Sequence, residues 1–194
     1  MRHVAHGAPR LDRRGFLKRT GLGSAAVASI AALGAVPTPV WADGNETAFI
    51  FAAQSRATIG GETHLVLMGG RGRIGSKDVE GGGSFNQFKL IDGIPRPLVA
   101  AGTWRTRRLV SFNPIGTYGV FTAGILIMEI ELISEIPGKA QARATLEVVC
   151  NIGAAGLSTG EDEGFILTVP GVARFEPFGA GITLFPAARP ENGD

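Results

Sequence analysis

Four charged residues occupy alternate positions in two long segments of the chain, and their types and spacing suit acid–base chemistry or ligand binding. Arg105 and Arg107 lie in residues 98–112, and Glu129 and Glu131 lie in residues 120–134. Side chains two positions apart share one face of a β-strand. We predict a hairpin with its register centred on Tyr118. That register places Arg107 opposite Glu129 and, two residues further from the turn, Arg105 opposite Glu131.

This group of arginines and glutamates supports two interpretations. In the first, the pairs form a ladder on a solvent-facing surface, which fixes the register and contributes about 0.2–1 kcal/mol per pair. In the second, the four residues line the interior of a barrel, where they bind a polar ligand or titrate at shifted pKa values suited to acid–base catalysis. Glu147 on the next predicted strand extends the row. Alternation predicts Arg108 on the opposite face, together with Trp104.

The single histidine and the single cysteine after residue 42 are the other candidates for catalysis. His64 alternates with Val66 and Met68, a pattern typical of a core or rim position. As the sole imidazole, His64 is also the best single candidate for a general base. Cys150 lies in an apolar alternation, which predicts a buried and unreactive thiol. A Cys150–His64 nucleophile pair is the alternative.

One cysteine and one histidine are too few for several cofactors. Zinc sites built from Cys and His, His-rich copper centres and iron–sulfur clusters all need more such ligands. The Cys-x-x-Cys-His motif for haem attachment is absent from the sequence. A metal ion would be held mainly by carboxylate and carbonyl oxygens. We therefore predict no cofactor and rank a metal-assisted hydrolase last among the possible functions.

Short alternating or apolar segments separated by glycine and proline predict an all-β domain with no convincing helix. The eight predicted strands cover residues 46–58, 64–68, 79–90, 98–112, 120–134, 142–152, 165–169 and 181–185. Glycines inside these segments, such as Gly72, Gly82, Gly102 and Gly124, are typical of bulges and bends in a curled sheet. A closed or strongly curled barrel of mostly antiparallel strands is therefore favoured over a sandwich.

Residues 70–75 contain the spacing Gly-x-Gly-x-x-Gly. In a dinucleotide-binding site this motif opens a helix within a βαβ unit, and residues 76–81 lack a helical pattern. We therefore interpret the glycines as a β-bulge or a hairpin turn, and we predict no nucleotide cofactor.

Residues 1–42 match the pattern of a twin-arginine export signal. The run Asp12-Arg13-Arg14-Gly15-Phe16-Leu17-Lys18 carries the paired arginines, an apolar run covers residues 21–36, and Val40-Trp41-Ala42 is typical of a cleavage site. The apolar run is shorter than the roughly 20 residues of a membrane span, although an uncleaved anchor is the alternative. We predict cleavage before Asp43, export in the folded state to the periplasm or the medium, and no stable membrane insertion.

Removal of this signal reverses the net charge. The precursor has 19 basic and 17 acidic residues, whereas residues 43–194 have 13 and 16, a net charge of about −3. A chain with net negative charge does not attract nucleic acid electrostatically, so we predict no nucleic-acid ligand. Residues 43–194 are long enough for one domain with its own hydrophobic core.

In its succession of short strands punctuated by glycine, the mature domain resembles small β-barrel families of the dirigent and allene-oxide-cyclase type. The resemblance rests on the strand pattern and on no motif, so it implies only a fold-level likeness. Small barrels enclose single small ligands, and the resemblance therefore implies a pocket.

These observations predict an exported, soluble protein that binds a small molecule in a pocket or serves as a non-catalytic envelope or interaction protein. The first role needs a cavity, and the second needs a filled core with exposed apolar surface. A cofactor-free isomerase or cyclase that uses barrel-lining Arg and Glu residues is the alternative. The predicted partners are the twin-arginine export machinery, a small-molecule ligand, and a second copy of the chain or a co-exported protein.

Overall fold

The computed structural model describes residues 46–156 and 159–186. The predicted export signal at residues 1–42 and its cleavage site lie outside the described residues.

Nine β-strands make up most of the described chain. They are β1 (Thr47–Ile59), β2 (Glu62–Ile74), β3 (Val79–Ile91), β4 (Ile94–Tyr118), β5 (Phe121–Ser134), β6 (Ala142–Cys150), β7 (Gly164–Val169), β8 (Ala173–Pro177) and β9 (Ile182–Pro186). A one-turn helix, α1 (Gly153–Gly156), follows β6. Within residues 46–156 and 159–186, no helix has the length and apolar character needed to cross a membrane.

The hydrogen-bonded order of the strands closes on itself, and all the pairings are antiparallel. Each strand from β1 to β7 pairs with the next, and β8 pairs back with β1. β9 bonds to residues 50–52 of β1 and to residues 121–122 of β5. The result is a barrel-like ring of eight strands, which confirms the prediction of a closed or strongly curled all-β domain.

Aromatic and aliphatic side chains fill the interior of the ring. The largest fully buried residues are Trp104, Phe49, Phe51, Phe165, Phe175, Phe185, Met68, Leu126, Met128 and Ile130. The Phe51 ring packs between Trp104 and Phe165, with centroids 5.8 and 5.9 Å away, a spacing typical of tilted aromatic pairs. Burying a side chain of this size contributes roughly 1.5–3 kcal/mol, so the interior is the main source of stability.

The glycine-rich part of β2 is a regular strand, and the bulge or turn predicted there is wrong. Residues 69–74 pair with β3 without a register shift, and the chain turns only at residues 75–78. A Cβ atom at Gly70 would overlap the Trp104 ring and lie 2.6 Å from the carbonyl oxygen of Gly82. One at Gly72 would overlap the carbonyl oxygen of Glu80 and lie 2.6 Å from the Phe49 ring. Trp104 Nε1 donates a hydrogen bond to the carbonyl oxygen of Gly69 at 3.1 Å. The glycines therefore allow two large rings to lie directly against the backbone.

Strand β4 contains three register shifts against β5, each with one extra residue on β4. The first shift leaves Arg107 without a partner on β5, so Glu129 pairs with Arg108. The predicted pairing of Arg107 with Glu129 is therefore wrong by one residue. The predicted pairing of Arg105 with Glu131 is confirmed, but the predicted centre of the turn is wrong, because Tyr118 pairs with Phe121 and the chain turns at residues 119–120.

Three strands differ from the predictions. β2 and β4 extend well beyond the predicted segments, and β8 was not predicted. β8 is five residues long and carries Arg174 and Glu176 at alternate positions, so it lacks the apolar pattern by which the other strands are recognised.

Candidate functional site: an arginine-rich outer face

Five residues in direct register form a row across strands β2 to β6. Arg71 pairs with Gly82, Gly82 with Arg105, Arg105 with Glu131, and Glu131 with Arg143. Their sequence neighbours Trp104, Ile130 and Ala144 are buried, so alternation directs the row outward. Because adjacent strands are about 4.8 Å apart, the row spans about 19 Å of sheet.

The first bulge of β4 adds two more guanidinium groups to the outer surface. The extra residue reverses the alternation after Thr106, so that Arg108 lies on the same side as Arg105. The prediction that Arg108 shares a face with Trp104 is therefore wrong. Together, five arginines mark this surface, which we call the arginine face: Arg71, Arg105, Arg107, Arg108 and Arg143.

Two glutamates hydrogen-bond to two of these arginines and lie near a third. Arg105 Nε donates a hydrogen bond to Glu131 Oε2 at 2.7 Å, and Arg107 Nη1 lies 3.9 Å from the same oxygen. Arg108 Nε donates to Glu129 Oε2 at 3.3 Å. The hydrogen bond from arginine is the main cause that lowers the pKa of each glutamate. Both carboxylates are therefore anionic at neutral pH and hold the guanidinium groups in place.

The predicted site residues on β4 and β5 lie outside the ring. The side chains of Arg105, Arg107 and Arg108 are 57%, 44% and 64% exposed, while Glu131 is 14% exposed. Trp104 and Ile130 occupy the interior positions that alternate with them. The geometry is therefore that of an outer ladder of ion pairs, and these residues do not line the interior. Their catalytic role stays a prediction.

Positive charge exceeds negative charge on the arginine face. Within the part of the chain that the structure describes, neither Arg71 nor Arg143 has a carboxylate within 4.0 Å. An open pocket of about 360 Å³ lies between Arg107, Arg108 and Arg143, with Glu129 and Thr145 also in its wall. The pocket therefore presents more guanidinium groups than carboxylates to solvent.

A second open pocket lies at the β2 end of the face. It has a volume of about 380 Å³ and is lined by Arg71, Arg73 and Glu80 together with residues 48–50 of β1 and Gly81 of β3. Arg73 is near two carboxylates, with Nη1 3.6 Å from Glu46 Oε2 and Nη2 3.9 Å from Glu80 Oε2. This pocket has a more balanced charge than the one beside Arg143.

His64 is buried in a separate part of the ring. Its Nδ1 accepts a hydrogen bond from Gln87 Nε2 at 2.9 Å, and its Nε2 lies 4.0 Å from Glu62 Oε2. His64 pairs with Lys89 of β3, whereas Arg105 pairs with Gly82 near the other end of that strand. The structure therefore does not bring His64 together with the arginines and glutamates, and its role as a general base stays a prediction.

Cys150 is fully buried, as predicted from its apolar alternation. Its Sγ donates a hydrogen bond to the carbonyl oxygen of Thr183 at 3.2 Å, and burial raises the pKa of the thiol. His64 is bonded to Gln87 instead, so the alternative Cys150–His64 pair does not form. A buried thiol with a raised pKa is a poor nucleophile at neutral pH.

Glu147 does not extend the row of ion pairs. It pairs across the sheet with Ile127 and Ile166. Burial raises the pKa of its carboxyl group, and the nearby Glu161 raises it further.

Sequence reasoning missed Arg71 and Arg143 as members of the site. Arg143 could have been identified from the sequence, because it alternates with Glu147 along β6. Arg71 could not, because it becomes a neighbour of Arg105 only through the register of both residues with Gly82.

Carboxylates, histidine and cysteine do not cluster as metal ligands in the described ranges, where no group of three or more such side chains is suitably arranged.

Comparisons with protein-family models, with curated proteins and with solved structures found no match to this chain. The likeness to dirigent and allene-oxide-cyclase barrels therefore stays a prediction.

Proposed function

We propose that this chain is an exported, non-catalytic binding protein whose ligands contact the arginine face and not the interior of the ring. The observation that carries the proposal is the contrast between the two sides of β4 and β5. Trp104, Met128 and Ile130 fill the inside, while the outside carries exposed guanidinium groups around an open pocket. A ligand has room and polar partners outside the ring.

The packing of the interior argues against a ligand at the centre. Phe49, Phe51 and Phe165 are at most 2% exposed, and the residues that surround them are equally buried. Protein interiors are close-packed, so a small molecule could enter only if several large side chains moved. This favours the interaction-protein class of function over a binder with an internal pocket.

The cofactor-free isomerase or cyclase receives less support. General acid–base catalysis at neutral pH is most effective when a carboxyl group has a raised pKa, close to the working pH. The pKa values of Glu129 and Glu131 are lowered instead, because arginine side chains hydrogen-bond to their ionised forms. Their ion pairs also face solvent, whereas catalytic pairs usually work in sites that exclude water.

Export by the twin-arginine route is part of the proposal and rests on residues 12–18. Replacing Arg13 and Arg14 by lysine keeps the charge and removes the arginine pair. We expect this variant to remain in the cytoplasm with an uncleaved N-terminus, which mass spectrometry of the cell fractions measures. Unimpaired export and cleavage before Asp43 in the variant would contradict the route.

The binding surface is tested by nuclear magnetic resonance with probes on both sides of the ring. Residues 43–194 contain two methionines, Met68 and Met128, and both are fully buried in the interior. Methyl-¹³C methionine therefore reports on the core, and ¹⁵N in the arginine side chains reports on the outer face. The labelled mature protein is titrated with the low-molecular-weight fraction of the growth medium. We expect shifts of arginine signals with unchanged methionine signals, whereas saturable methionine shifts would indicate an internal ligand and contradict the proposal.

A further inference from the structure

We infer that the pocket between Arg107 and Arg143 binds an oxyanion, namely a carboxylate, sulfate or phosphate group of the ligand. This inference rests on the proposed function and names the chemical class that the arginine face recognises. The local charge, the presence of arginine in place of lysine, and the position of the bulge support it.

The local charge has the opposite sign to that of the mature chain. Residues 43–194 carry a net charge of about −3, yet the arginine face holds five guanidinium groups and two carboxylates. Arg105 and Arg108 each have a close carboxylate partner. Arg107 is 3.9 Å from a carboxylate that Arg105 already occupies, and Arg143 has none within 4.0 Å among the described residues. Two guanidinium groups therefore remain to bind an external anion.

The basic residues of this face are all arginines. The three lysines of the mature chain lie elsewhere: Lys77 and Lys139 are in turns, and Lys89 is bonded to Glu62. A guanidinium group presents a planar fork of donors that matches the two oxygens of a carboxylate, sulfate or phosphate, whereas an ammonium group acts as a point charge. The composition of the face therefore favours directional binding of an oxyanion over a diffuse attraction of counterions.

The bulge of β4 explains how consecutive arginines come to serve one pocket. In a regular strand Arg107 and Arg108 would point to opposite faces, but the extra residue directs both outward. Glu129 binds Arg108 and thereby fixes one wall of the pocket. Arg143, on the adjacent strand β6, supplies the opposite wall beside Thr145. The pocket thus has donors on two sides before any ligand arrives, which lowers the cost of ordering them on binding.

The test uses inorganic sulfate as the probe, because it is a dianion throughout the neutral pH range. The mature protein with ¹⁵N-labelled arginine is titrated with sodium sulfate, and a parallel titration with sodium chloride at equal ionic strength removes the effect of screening. We expect saturable shifts with sulfate alone. In the double variant Arg107→Gln, Arg143→Gln we expect the sulfate affinity to fall about fivefold to tenfold, the usual loss for two charge-assisted contacts at an exposed site.

The matched control is Lys77→Gln, Arg96→Gln, which removes the same charge from two exposed positions, one in the β2–β3 turn and one at the start of β4. We expect it to bind sulfate as the native protein does. Unchanged methionine methyl signals show that both variants are folded. Equal sulfate affinity in the two variants, or equal shifts with sulfate and chloride, would overturn the oxyanion site.

Two further probes distinguish a small ligand from a polymer that carries the same groups. Citrate supplies carboxylates on a small molecule, and a sulfated polysaccharide supplies sulfates on a chain that can follow the row towards Arg71. If the site binds a polymer that follows the row, an Arg71→Gln variant should bind the sulfated polysaccharide more weakly than the native protein does. Its affinity for citrate should be unchanged.

Failure of the inference is distinguishable from failure of the proposed function. If the outer face binds components of the growth medium but not sulfate, the oxyanion class is wrong and the binding surface stands. If methionine signals shift in that titration, the binding surface itself is wrong.

Discussion

The inner and outer faces of β4 and β5 belong to the same two strands, yet they differ in almost every property. On the inner face, Trp104, Met128 and Ile130 are fully buried and belong to the same hydrophobic core as the aromatic residues of the other strands. On the outer face, Arg105, Arg107 and Arg108 each lie beside one carboxylate and are exposed to solvent. Stability therefore resides on one side of the sheet, and the capacity to bind charged groups resides on the other.

The largest loss of stability is expected when the largest side chain of the inner face is truncated. Trp104→Ala leaves a cavity beside Phe51 and removes the hydrogen bond to the Gly69 carbonyl oxygen. We expect the free energy of unfolding to fall by about 4 kcal/mol, as measured by chemical denaturation. Thr103→Ala, one position away on the exposed face, is the control and should change it by less than about 0.5 kcal/mol. Similar losses of stability in the two variants would contradict the view that the inner face supplies most of the stability.

A smaller loss is expected when a single methyl group is added to the inner face. In Gly70→Ala the new Cβ atom overlaps the Trp104 ring, so the ring or strand β3 must move. We expect a loss of about 1–3 kcal/mol in the free energy of unfolding. The same substitution in a Trp104→Leu background should cost less, because the ring is absent and only the contact with the Gly82 carbonyl oxygen remains. An equal cost in both backgrounds would show that the glycine serves the backbone and not the ring.

On the outer face, Glu131→Gln should have a smaller effect that depends on pH. The Arg105 hydrogen bond lowers the pKa of Glu131 in the folded protein. The ionised Glu131 therefore stabilises the fold above the ordinary carboxyl pKa, and this contribution is lost as the pH falls through the lowered pKa. We expect the native protein to be the more stable at pH 7 and the two to converge in acid. Thermal unfolding at a series of pH values measures this. The control Glu80→Gln, at a largely exposed site, should show no such convergence.

The smallest effect, with the opposite sign, is expected at Glu147. Burial raises the pKa of this carboxyl group, so ionisation in the folded state is unfavourable. Glu147→Gln should therefore stabilise the protein slightly at pH 7, and the difference should disappear below the ordinary carboxyl pKa, where both side chains are neutral. The same pH series of thermal unfolding measures it. A destabilised variant at pH 7 would show that the outer face relies on this carboxylate.

The strands were largely predictable because alternation and turn residues are local signals. Trp104 and the residues of β5 such as Met128 show the two-residue period that places one face in the core. β8 escaped prediction because Arg174 and Glu176 occupy its exposed positions and its five residues are too few to establish a pattern. The glycine segment of β2 was misinterpreted because the rings that need those glycines, Phe49 and Trp104, lie far away in the sequence.

The candidate site was predicted in part. The pairing of Arg105 with Glu131 was predicted by counting residues from a turn at Tyr118, whereas the structure pairs Tyr118 with Phe121 and turns at residues 119–120. The extra residues of the three bulges on β4 offset that difference, so the predicted pair forms. The first bulge shifts the partner of Glu129 from Arg107 to Arg108. A bulge depends on the curvature that the closed ring imposes on a long strand, and neither Thr106 nor Arg107 carries a local signal for it.

The sequence by itself determined the class of fold, the charge reversal on removal of residues 1–42 and the scarcity of cysteine and histidine as metal ligands. Composition, residue counts and two-residue periodicity do not depend on how the strands meet. Only the tertiary structure decided which residues face one another. Ring closure, the bulge at Arg107 and the alignment of Arg71, Arg105 and Arg143 across separate strands follow from packing between distant segments. The orientation of a side chain in a sheet reverses with each one-residue shift, so a single bulge changes which arginines form a site.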